Sequence, residues 1–234
     1  MLPDTIKTRG LHAFVRFAPR APLDKQHKQQ FLMRASEGFD WRRQEFAEQA
    51  WTLMSPQTDG DARSLIKLSV FPDTVSFEDQ FPTGSLEMFF DNLRLALDGF
   101  ASVFDPKVML ASGILVRLTA QSEAADARVY LGQQCLHLDE RLKALERPVH
   151  AVGLKLLLPP LPGKDQPNWQ AEIKIESLVE DIRQLFVEVD ARWGNPAAWE
   201  PKTVVERVKT AHEFATKQVV AFLQQLARDE GPPR

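Results

Sequence analysis

Apolar and polar residues alternate with a period of two in several short stretches of the chain and with a period of three to four in longer ones. These are the periods of strands and helices. Leu11 to Phe17 (LHAFVRF) reads as a short strand ended by Pro19 and Pro22. Asp24 caps a predicted helix over roughly 25–37, which Gly38 breaks. Phe46 to Met54 is predicted as a strand, and PQTDGD (56–61) as a turn. Ile66, Leu68 and Val70 alternate with Lys67 and Ser69, Pro72-Asp73 turns the chain, and Val75 and Phe77 alternate with Ser76 and Glu78, which predicts a hairpin. Leu86, Phe89, Phe90, Leu93, Leu97, Phe100 and Phe104 then fall at spacings of three and four, one broad apolar helix face.

Asp105-Pro106 stops that helix, and the same order begins again. Met109 to Ala120 is a predicted strand, followed by a helix over about 125–146 with Leu131, Cys135, Leu138, Leu142 and Leu145 as its stripe. Strands are expected at Val152–Leu158, Trp169–Glu176 and Leu185–Val189, and a last helix from Thr203, where T-V-V-E has the form of a capping box. Each half, 1–106 and 107–234, therefore reads strand, helix, three strands, helix. Successive strands without alternating helices imply an α+β fold: internally duplicated β-α-β-β-β-α halves, antiparallel sheet, helices on one face, forming one joint unit. The halves are too large to be solenoid repeats. This architecture resembles the TATA-binding-protein-like fold. In its hairpin, its VSFED segment (75–79) and the aromatic-rich helix after it, the chain also resembles a sporadically distributed family of uncharacterised bacterial proteins of about this length. The first 60 residues match that family least. The resemblance implies no catalytic residues.

Composition narrows the function classes only a little. The chain has 234 residues, of which 44% are apolar and 26% charged, with a formal net charge of -3. It gives no general attraction to nucleic acid or anionic membrane. A single cysteine, Cys135, suits a reducing compartment. MLPDTIKTRG lacks a signal-peptide layout and no apolar run approaches membrane-spanning length, so a cytoplasmic protein of bacterial type without membrane contact is expected.

Several motifs have the outward form of a chemical site. Pro82-Thr83-Gly84-Ser85 looks like a phosphate turn, yet it has one glycine, no lysine, and Glu78 and Asp79 just upstream. Ser85 as helix N-cap, with Glu87 in the first turn, explains it better. Glu78 and Asp79 point to opposite faces of a strand and cannot converge on a cation; a solvated strand end is expected. His212-Glu213 begins like a zinc-protease motif, but Thr216 stands where the second histidine belongs. Cys135 and Asp139 share a helix side while His137 points away. No catalytic residue, metal site or cofactor is predicted.

Binding remains. The polar register of the last strands carries Glu172, Lys174, Glu176, Glu188 and Asp190, four acids against one lysine, which disfavours nucleic acid. Phe71 follows Lys67 and Ser69 in a polar register, and Phe186 lies beside Glu188 and Asp190. Phe71 and Phe186, with Lys67 and Lys174, are thus the candidate binding residues: an apolar patch on the face away from the helices, used for homodimerisation or for capture of a protein or peptide. The expected function is a non-catalytic binding or adaptor protein. The alternative is an enzyme or small-molecule binder with a pocket between the halves.

Overall fold

Leu11, Ala13, Val15 and Phe17 are all buried, as their alternation requires, but the strand that carries them is longer than LHAFVRF. A computed structural model describes residues 1–56, 63–163 and 168–228. In chain order the principal elements are β1 (Lys7–Ala18), α1 (Lys25–Ala35), β2 (Arg43–Ala47), β3 (Ala50–Pro56), β4 (Leu65–Val70), β5 (Thr74–Gln80) and α2 (Leu86–Phe104). They continue as β6 (Val108–Gln121), α3 (Ala127–Val129), α4 (Asp139–Lys143), β7 (Gly153–Leu158), β8 (Gln170–Ser177), β9 (Gln184–Trp193), β10 (Ala197–Ala198), α5 (Pro201–Glu213) and α6 (Val220–Arg228). A π-helical turn, Tyr130–Cys135, extends α3, and a second, Phe214–Val219, joins α5 to α6.

The strands form one ten-stranded antiparallel sheet in the order β2-β3-β4-β5-β1-β6-β9-β8-β7, with β10 beside β6. β1 and β6 pair at its centre, across the 106/107 boundary. Outward from that seam the order is β5, β4, β3 on one side and β9, β8, β7 on the other. Among the described residues, every ring contact from a helix to the sheet falls on one register: Phe100 on Phe17, Phe31 and Phe104 on Trp51, Phe89 on Phe77, Phe214 on Trp169 just before β8. The opposite register, with His12, Phe14, Leu115, Arg117, Phe186 and Glu188, is half-buried and carries no helix contact of that kind. Among the described residues no helix is long and apolar enough to cross a membrane.

Local signals placed several elements well. The Asp24 side chain accepts from His27 N–H at 3.0 Å, and Ser85 Oγ accepts from Met88 N–H at 3.2 Å, so PTGS is a helix start. Phe89, Leu93, Leu97, Phe100 and Phe104 are buried along α2. Phe90, expected beside them, is only half-buried, with Lys209 Nζ 5.3 Å from its ring centroid.

Other expectations need correction. Phe46–Met54 is a hairpin, β2 and β3, turning at Glu48 and Gln49, in which Phe46 faces Trp51. The first half therefore has four strands between its helices. The turn PQTDGD lies, apart from Pro56, outside the described residues. The helix predicted over 125–146 breaks after Cys135, with left-handed backbone at His137 and Glu146, and the chain doubles back so that Leu142 sits with Val152 against Gly132. Leu145, part of the expected stripe, is exposed. The last helix starts two residues before Thr203. Pro201 occupies its first turn, where a missing N–H costs nothing. Thr203 Oγ1 donates to Glu200 Oε2 at 2.6 Å in place of the expected capping box.

Candidate functional site

One residue of the central strand pair is out of step. Between Thr8 and Gly10 the register of β1 on β6 shifts, so Arg9 is an extra residue without a partner on β6. Unbroken alternation from Leu11 would send Arg9 toward the helices with the buried register. The bulge turns it to the uncovered face instead. Its Nε–H donates to Thr119 Oγ1 at 2.9 Å, and Thr119, in the register of Arg117, pairs with Phe186 on β9.

The chain on the other side of Arg9 is also unusual. Phe81 follows β5 with φ of 48°, and its N–H donates to the Arg9 carbonyl at 2.9 Å. Left-handed backbone at a bulky residue costs about 1–3 kcal/mol and persists where surrounding contacts fix it. The Arg63 guanidinium lies 4.0 Å from the centroid of the Phe81 ring.

Bulge and turn together border a cavity of about 420 Å³, lined among others by Arg9, Arg117, Phe81, Phe186, Gln80 and Glu180. It straddles the β1/β6 seam. Arg117 donates from Nε to Glu188 Oε2 at 2.8 Å. Arg9 has no carboxylate within ion-pair distance among the described residues. A half-buried guanidinium in a recess shared with Phe81 and Phe186 acts through less water than one on an open surface, so its attraction for an anion is stronger there. Its planar fork matches a carboxylate or phosphate edge.

Four further acids of this face are paired. Asp190 pairs with Arg192 at 2.6 Å, Glu176 with Lys174 at 3.1 Å, Glu172 with Lys155 at 2.7 Å and Glu78 with Lys67 at 3.8 Å. The count of four acids against one lysine stopped short of Arg192 on β9 itself and missed the cations Arg117 and Lys155 that β6 and β7 bring alongside. His12 lies on the same face opposite Glu78, and burial holds its imidazole below the usual range.

Of the sequence candidates, Phe186 alone lines the recess. Phe71 is exposed in the turn after β4, where its N–H donates to the Thr74 carbonyl at 2.7 Å. Four strand spacings, about 19 Å, separate the β4 and β9 positions across the sheet. Along the strands the two are farther apart still: Val70, before Phe71, is level with Trp193, seven residues on from Phe186 and about 23 Å away. Phe71 and Phe186 therefore do not form a single patch. Lys67 and Lys174 are held in their ion pairs on β4 and β8. Asp79, expected at a solvated strand end, is instead buried on the helix side, its Oδ1 without a hydrogen-bond partner, while Glu78 lies on the uncovered face. Among the described residues no group of three or more His, Cys, Asp and Glu side chains is arranged to hold a metal ion.

Sequence reasoning missed Arg9, Arg117, Thr119 and Phe81. The signal available for Arg9 was its position two residues before Leu11, a charge in the buried register. Comparison of the chain with protein-family models and with curated protein sequences finds no match.

Proposed function

We propose that this is a non-catalytic binding protein whose uncovered sheet face engages a protein or peptide partner, with an acidic side chain of that partner seated in the recess against Arg9. The observation that supports this reading is Arg9 itself: bulged onto the uncovered face, fixed by Thr119, and without a carboxylate of its own among the described residues. Phe81 and Phe186 supply apolar contact beside the charge, the combination that anchors interfaces. The test is titration of a fluorescein-labelled glutamate-rich peptide, followed by anisotropy, against wild type, Arg9→Ala and Arg9→Lys. Arg9→Ala should abolish binding, and Arg9→Lys should retain part of it, since lysine keeps the charge and loses the fork. Equal affinity for wild type and Arg9→Ala rejects the assignment.

A second reading draws on volume. At about 420 Å³ the recess has room for a small anionic molecule lodged between the halves. Thermal stabilisation by a small dicarboxylate or by inorganic phosphate, with no binding of the peptide, favours that alternative.

The finer architectural reading is part of the proposal. The halves 1–106 and 107–234 are inferred to be copies in a TATA-binding-protein-like arrangement; the matching order of strands on either side of β1/β6 supports this. Superposing β1, β5 and α2 on β6, β9 and α5 tests it, and helices in unrelated positions end it. A cytoplasmic setting and self-association through the same face complete the reading.

A further inference from the structure

On the helix side of the sheet, beyond β8, lies a second cavity of about 530 Å³ that shares no residue with the arginine recess. Its walls are two aromatic rings at right angles. Trp169 and Phe214 have centroids 5.1 Å apart and planes at 88°, and Trp169 is backed by Trp193, stacked at 5.4 Å. Leu158 and Leu161, both exposed, form the apolar mouth. Glu213 is the one charged residue among the described lining. Its carboxylate meets Lys217 at 3.4 Å, a surface pair in which both side chains are mostly exposed.

The helix changes form at this place. α5 ends at Glu213, and the π-helical turn begins with Phe214 and includes Gln218, so three lining positions sit at the junction. An extra residue per turn sets Phe214 and Gln218 differently from a regular helix, and such turns recur at functional sites. Both rings of this edge-to-face pair line the cavity, aromatic π density attracts a cation, and a carboxylate beside them adds a full negative charge. An anion entering this cavity meets Glu213 and gains nothing from the rings.

We propose that this cavity binds an organic cation with an apolar body: the cationic head against Trp169, Phe214 and Glu213, and the body along Leu158 and Leu161. A free alkyl or aryl ammonium and the lysine or arginine side chain of an extended peptide share that chemistry. The probes are benzyltriethylammonium, benzyl alcohol and benzoate, titrated by calorimetry and tryptophan fluorescence. The cation should bind saturably and quench the fluorescence, at roughly tenfold higher affinity than the alcohol, with benzoate weakest. Glu213→Gln, a change at an exposed side chain, should erase the preference for the cation over the alcohol. Leu161→Lys, placing a positive charge at the mouth, should abolish cation binding in a chain of unchanged melting temperature. A short acetylated and amidated lysine-containing peptide that displaces benzyltriethylammonium identifies the source as a peptide; no displacement identifies it as a free cation. Benzoate binding as well as the cation, no saturable binding at millimolar concentration, or a Glu213→Gln variant with the wild-type preference overturns the proposal.

Discussion

Arg9 and Thr119 meet across the central seam of the sheet, the guanidinium Nε donating to the threonine hydroxyl at 2.9 Å. Thr119 is 6% exposed, so this bond fixes Arg9 from a position that solvent hardly reaches. Thr119→Val keeps the shape and removes the acceptor. Unfolding free energy should change by no more than about 1 kcal/mol, since Arg9 can still reach water. Binding of the glutamate-rich peptide should nonetheless weaken several-fold by anisotropy, because Arg9 is no longer held in place. Unchanged affinity would show that the recess does not depend on an oriented Arg9.

Asp79 gives a signature in pH. Burial pushes its carboxyl from the ordinary 3.8 up to about 7. The folded chain therefore holds this proton when the unfolded chain has lost it. The stability is fully present below pH 3.8, declines as pH rises toward 7 and is level above, a difference of at most about 4 kcal/mol. Asp79→Asn should remove that decline. Urea denaturation of both proteins at pH 5 and pH 8 measures it; parallel losses in the two proteins would count against a buried, protonated Asp79.

His212 acts in the opposite direction. Burial lowers its pKa from 6.5, and its Nε2 lies 3.3 Å from Thr8 Oγ1 at the α5–β1 contact. A lowered base contributes stability that is fully present above pH 6.5 and is lost as pH falls through that value toward its folded pKa. His212→Gln should flatten part of the acid limb. The His12→Gln/His212→Gln double variant should flatten more, since burial lowers His12 in the same sense. Thermal melts from pH 4.5 to 7.5 report it, and identical acid limbs in all three proteins contradict it.

Phe89 and Phe90 are adjacent on α2 and separate cleanly by burial. Phe89 is 2% exposed and packs on Phe77, whereas Phe90 is half-covered beside Lys209. Phe89→Ala should cost about 3–5 kcal/mol and leave a cavity. Phe90→Ala should cost about 1–2 kcal/mol, the loss of part of one ring's burial. Equal midpoints for the two variants in guanidinium would mean that α2 lies rotated about its axis.

Periodicity located most of the sheet because one face is buried and each strand therefore alternates: β4, β5, β8 and β9 stand close to where the sequence put them. It erred where a local signal was overruled from a distance. Phe46–Met54 has no glycine or proline to mark its turn, so the β2/β3 hairpin looked like one strand. The leucine stripe after Ala127 suggested a long helix, but packing of Leu142 back against Gly132 bends the chain. The site was the least legible part. Phe186 could be found because it is apolar in a polar register, whereas Arg9 shows in the sequence only as a charge in the register of Leu11, and its turn to the uncovered face needs the pairing of β1 with β6 to be known. Phe71 and Phe186 share a kind of position but not a neighbourhood, and register alone separates them.

The β1/β6 seam governs the order in which the protein can be made. Ala18 meets Val108 and Lys7 meets Thr119, partners about a hundred residues apart, whereas β4 finds β5 through a turn of a few residues. A first half that folds before β6 is made would have β1 paired to β5 on one side and a long, bare strand edge on the other. That edge carries Leu11, Ala13 and Val15 and waits for β6 to emerge, so a nascent chain stalled before residue 108 is an aggregation-prone species. The bulge at Arg9 then has a second effect: by interrupting the register near one end of this edge, it hinders pairing with a wrong strand that lacks a matching shift.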